Sequence, residues 1–157
     1  MLDATGPFVD RSAKFDVSTN ALSGATIVMK GDTLKSGAFD ISAIGASATS
    51  SSAGTEQFGM CLFQSNGSGL TFPTASYSDS NCNSTTQTAG TASTGGTGTA
   101  QFGFNTTNTQ SASGDTIATK PAGTSSTATL AFLGNIAYTI EAGIYQTTLT
   151  YIATGQY

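Results

Sequence analysis

Apolar and polar residues alternate with a period of two in several separate stretches of this chain, and no window sustains the i, i+3, i+4, i+7 spacing of an amphipathic helix. The pattern is longest near the C-terminus. There Tyr145, Thr147, Leu149, Tyr151 and Ala153 share one face of an extended segment, and Ile144, Gln146, Thr148, Thr150 and Ile152 share the other. Upstream, Thr127 to Leu133 and Ile136 to Ile140 form two further apolar runs, separated by the turn-forming pair Gly134-Asn135 and followed by Glu141-Ala142-Gly143. The expected arrangement for this end of the chain is a β-meander.

The same alternation predicts strands at Lys14 to Thr19, Ala25 to Lys30, Phe39 to Ala43, Thr55 to Phe63 and Asp115 to Thr119, with a turn at Asn20 to Gly24. The fold class implied is all-β: an antiparallel β-sandwich of Greek-key or jelly-roll type. A shared Thr-x-Gln-Phe-Gly at 55–59 and 99–103 suggests two equivalent strands in two halves or facing sheets. Ser76 to Gly98 is almost wholly Ser, Thr, Asn and Gly and reads as a surface loop that packs no core.

The N-terminal stretch stands apart. Leu2, Ala4, Gly6 and Phe8 alternate with Asp3, Thr5 and Pro7, and Pro7 fits a strand only where its nitrogen owes no ladder bond. No neighbouring run offers it a hairpin partner. The chain therefore divides into an extended N-terminal segment, residues 1–12, and a β-sandwich domain, residues 13–157.

Composition narrows the function. Charged residues are 9% of the chain, while Ser and Thr fill 48 of 157 positions, so hydroxyls carry the polarity. A net charge of −4 argues against nucleic acid or an anionic membrane as partner, and no run of apolar residues is long enough to span a bilayer. Four of the five basic residues, Arg11, Lys14, Lys30 and Lys35, lie in the first quarter, where lysines on edge strands discourage aggregation. Two cysteines, Cys61 and Cys82, allow a single intrachain disulfide, which the exported character of the composition favours.

Catalytic chemistry finds little footing. Without histidine, every His-assisted nucleophile is excluded, and no Ser-x-x-Lys spacing replaces it. The carboxylates show no pairing, so no catalytic residue, metal site or cofactor is expected. Asp79, Asn81 and Asn83 open like a calcium loop, but Ser84 and Gly90 stand where that loop needs glycine and glutamate. Glycan-acceptor sequons occur at Asn66, Asn83 and Asn105, which permits glycosylation.

Glu141-Ala142-Gly143-Ile144-Tyr145 resembles the corner of Greek-key sandwiches, where a tyrosine ties the last strands to the sheet. The Gly143-Ile144-Tyr145 start of a Thr-rich last strand is similar to the ends of secreted bacterial and archaeal surface β-sandwiches: pilin-like, spore-coat-U-like, WxL-type and TasA/camelysin-like fibre subunits. A Trp-x-Leu signature is absent, against the wall-binding type. The resemblance implies an extracellular, cell-surface location and head-to-tail assembly of copies of the chain. In that mode, an N-terminal donor strand with Leu2, Ala4, Gly6 and Phe8 as plugs completes a neighbour's sheet. The alternative is a monomeric glycan-binding or adhesin module using Tyr77, Tyr138 or Tyr151 against surface glycans. A further expectation is that Leu2 to Phe8 lies beside Ile144 to Ala153, of its own chain or of the next.

Overall fold

The computed structural model describes residues 2, 4, 7–72, 76–78, 82 and 100–157. Eight strands and one short helix follow in order: β1 (Phe8–Thr19), β2 (Ala25–Lys30), β3 (Leu34–Ser36), β4 (Phe39–Ile41), β5 (Gln57–Asn66), α1 (Thr106–Thr109), β6 (Asp115–Lys120), β7 (Gly123–Asn135) and β8 (Thr150–Gly155). They form an antiparallel β-sandwich. One sheet has the order β1-β7-β5, the other β6-β2-β8, and β3-β4 is a small hairpin.

Alternation builds the core between the sheets. Ile27 and Met29 of β2, Ile117 of β6, Met60 and Leu62 of β5 and Leu130 of β7 are all buried in one cluster. Phe58 packs on Phe104 with centroids 5.0 Å apart and stacks on Phe132 at 6.3 Å. A second cluster covers the opposite face of the first sheet: Cys61, Ala131 and Leu133 pack there against Cys82, Ala100 and Phe102. Sheathing on both faces is why β7 reads as an unbroken apolar run rather than an alternating one.

The C-terminal meander is not formed. Gly134 and Asn135 are the last residues of β7, where they pair with Phe58 and Gln57, so they do not turn the chain. β8 crosses to the other sheet and pairs with β2. Residues 136–140 form no strand; the chain uses them to pass between layers. The long extended segment is nevertheless real: Gln146 pairs with Lys35 of β3, and residues 150–155 pair with β2 in nearly the same register. Between these ladders, Leu149 lies so close to Gly31 that a Cβ there would meet its Cδ2 at 2.5 Å.

The two echoed segments do not occupy equivalent places in two halves. They are neighbours: Met60 and Gly103 exchange both main-chain hydrogen bonds, at 2.9 and 3.1 Å, on the outer edge of β5. Ser42 and Ile44 cover the same edge at Phe58, and Tyr77 covers it at Leu62. The outer edge of β6 is covered in turn by Thr71, which exchanges bonds with Thr119.

The 76–98 stretch also departs from expectation where it is described. Tyr77 and Cys82 are fully buried. Cys61 and Cys82 are joined in a disulfide with their Cα atoms 5.9 Å apart, which pins that stretch to β5. Tyr77 Oη donates to Asp115 Oδ2 at 2.9 Å and accepts from the Asn105 amide at 3.1 Å, while Asn108 Nδ2 donates to Asp115 Oδ1 at 3.3 Å. A polar knot therefore ties this loop to α1 and β6. Burial, and then the adjoining Asp115 carboxylate, push the Tyr77 phenol above its ordinary range.

Candidate functional site

The site of interest is the side of the sandwich where, among the described residues, the edge strand of each sheet has no further strand beside it. β1 borders the first sheet and β8 the second, and Phe15 and Tyr151 face each other across the gap with centroids 6.5 Å apart. Among the described residues, no strand or bridge pairs with the outer edge of β1 or with that of the 145–155 segment, and Arg11 of β1 donates through Nε to the Cys82 carbonyl at 3.4 Å. Between them runs an apolar groove of ≈ 590 Å³, lined by Leu2, Phe8, Phe132, Tyr145, Leu149 and Tyr151 among others.

The N-terminal segment lies at one end of this groove, in its own chain. Phe8, Val9 and Asp10 pair with Gly134, Leu133 and Phe132 of β7. Leu2 sits over Gly134, where an added Cβ would come within 3.0 Å of its Cδ2; Ala4 and Pro7 are buried. Leu2 and Phe8 line this groove, Leu2 and Ala4 line a neighbouring hollow, and Gly6 lies outside the described residues. Phe8 shares the groove with Tyr145 to Tyr151 but takes its ladder partner from β7 rather than from Ile144 to Ala153.

The ladder of β1 is interrupted once near its start. Three steps along β1 from Asp10 to Ala13 match two along β7, a bulge in which the Asp10 carboxylate accepts from both the amide and the hydroxyl of Ser12, each at 2.9 Å. The bulge lies inside β1, which runs from Phe8 to Thr19 across residue 12. Beyond it β1 alternates regularly, with Ala13, Phe15 and Val17 toward the core and Lys14, Asp16 and Ser18 exposed.

Tyr145 adopts the geometry of a tyrosine corner. Its hydroxyl donates to the Glu141 carbonyl, four residues upstream, at 2.8 Å, and Thr147 Oγ1 donates to the Asp32 carbonyl at 2.7 Å. These bonds hold the far wall of the groove. Asp32 is further fixed by Lys35 at 2.6 Å, whose hydrogen bond lowers the Asp32 carboxyl below its usual range.

The remaining candidate residues scatter. Asn66 is exposed at the end of β5; Asn105 caps α1, its side chain accepting from the Asn108 amide at 3.2 Å; Asn83 lies outside the described residues, as do Asp79 and Asn81. Of the tyrosines considered as sugar platforms, Tyr77 is excluded by complete burial, Tyr151 faces the groove, and Tyr138 is 78% exposed. Among the described residues, no group of three His, Cys, Asp or Glu side chains is placed to hold a metal ion, and no helix is long and apolar enough to cross a membrane.

No protein-family model matches the chain, and neither the curated proteins nor the solved structures contain a significant match.

Proposed function

We propose that the protein is a structural subunit of an extracellular filament or surface assembly, joined head-to-tail by its N-terminal segment. The observation that carries this reading is the placement of Leu2 and Phe8 in an apolar groove that runs between the edge strands of the two sheets. Every contact this segment makes with its own chain is available, residue for residue, on a second copy. Exchange between copies then replaces one set of contacts by an identical set at the cost of the entropy of association, and a contact of this kind that does not close into a ring builds an open fibre. The disulfide supports an oxidising compartment, and the low-charge, hydroxyl-rich composition supports a structural role at the cell surface.

Removing residues 1–10 tests the reading directly. The shortened chain is expected to remain folded, or marginally so, and to stay monomeric under conditions where the full chain polymerises. Filaments of unchanged length in electron micrographs would sink the proposal.

A second reading, a monomeric glycan-binding module, draws on Tyr138, which lines an open hollow of ≈ 820 Å³ together with Glu141 and Tyr145. Sedimentation across a concentration series separates the two, because such a module stays monomeric throughout.

A further inference from the structure

β-Sandwiches blunt their edges, and this one does so at every described edge except one. The outer edge of β5 is covered by three segments and that of β6 by Thr71. β1 carries Asp10, Lys14 and Asp16 and is bent by its bulge, and β4 is three residues long with Asp40 at its centre. The segment from Ala142 to Tyr157 has none of these devices. It contains no charged residue and no proline, its strand β8 is exposed throughout, and Ile152 is 43% accessible.

The hydrogen-bond phase of this edge follows from its inner partners. Gln146 exchanges both main-chain bonds with Lys35, and the Gln156 amide donates to the Gly24 carbonyl. Even-numbered residues therefore turn their main-chain groups inward to β3 and β2, and Tyr151, Ala153 and Gly155 present theirs outward.

We infer that β8 is a homotypic docking edge: two copies of the chain pair antiparallel through Thr150–Gly155 about a two-fold axis, extending the β6-β2-β8 sheet across both. Charge selects the partner. Copies bearing −4 each repel over most approaches, and along this uncharged strand no like charges are brought together. Shape agrees. With the axis at Ala153, Tyr151 of each copy lies opposite Gly155 of the other, so the bulkiest side chain meets a position without one, and Ala153 meets itself. This closed contact is additional to the N-terminal exchange proposed above and uses the outward main-chain edge of β8 rather than the β7 ladder; Tyr151 is common to both, as a groove side chain in one and an edge amide in the other.

Amide hydrogen exchange resolved by residue tests it. In dilute protein the Tyr151, Ala153 and Gly155 amides should exchange faster than those of Ile152 and Thr154, and at high concentration the three should slow by about tenfold or more. Ala153→Pro removes one outward amide and leaves the β2 ladder intact. This variant should stay unpaired while Thr154 remains protected. Ile152→Lys, which keeps every main-chain group, should weaken pairing in a salt-dependent way even if the proline variant fails to fold. Exchange at the three outward amides that is independent of concentration would overturn the inference, as would association that leaves them unprotected. Docking of an N-terminal segment on β7 does not touch these amides, so failure of either contact is read separately.

Discussion

Tyr77 and Asp115 meet at 2.9 Å through hydroxyl and carboxylate, both buried, and join a polar loop to the start of β6. The phenol also accepts the Asn105 amide, so Tyr77→Phe leaves two buried partners, the Asp115 carboxylate and that amide, short of a bond. A loss of about 1–3 kcal/mol in folding stability is expected, measured by urea unfolding. A variant as stable as the parent would show that water replaces the hydroxyl.

The same phenol sets an alkaline limit. Its pKa is raised in the folded state by burial and by Asp115, so the folded protein holds the proton more tightly than the unfolded chain. This contribution is fully present below the ordinary tyrosine value of 10.0 and is lost as pH rises above it. Denaturant midpoints should fall from about pH 10 upward, and the Tyr77→Phe variant should show a shallower decline. Parallel declines in the two proteins would assign the effect elsewhere.

Reduction of Cys61–Cys82 opens a closure of 21 residues. On chain-entropy grounds its loss lowers stability by about 3 kcal/mol, read as a drop in the thermal or urea midpoint with reductant or with paired serine substitutions. Because the bond also roofs the second apolar cluster, exposure of Phe102 should follow, detectable as a gain in hydrophobic-dye binding.

Much of the strand content was legible because the alternation is local. Ala25–Lys30 and Asp115–Lys120 fall where the period-two pattern places them, and the Tyr145 corner follows from a turn at Glu141 and an aromatic four residues on. Pairing was not legible, since partners are chosen by the tertiary fold. Gly134-Asn135 has the composition of a turn, yet Gly134 is held in the strand by Phe8 and Phe58 on its two sides and leaves room for Leu2. Tyr77 and Cys82 were hidden by the polar stretch around them. A lone aromatic and a lone cysteine in such a stretch are the signal, because neither has reason to stay in water. The groove was half visible: Leu2 and Phe8 were readable as apolar positions of one extended segment, but their contact with β7 joins residues more than a hundred positions apart.

That separation governs how the molecule is made. β7, the centre of one sheet, finds its partners far upstream in β1 and β5, whereas β2, the centre of the other, waits for β6 and β8 far downstream. Neither three-stranded sheet can be completed until β7, for the first, and β8, for the second, have emerged. Folding dominated by such distant contacts is slow, and until β7 arrives to fix β5 in its sheet the two cysteines are held near one another by neither sheet.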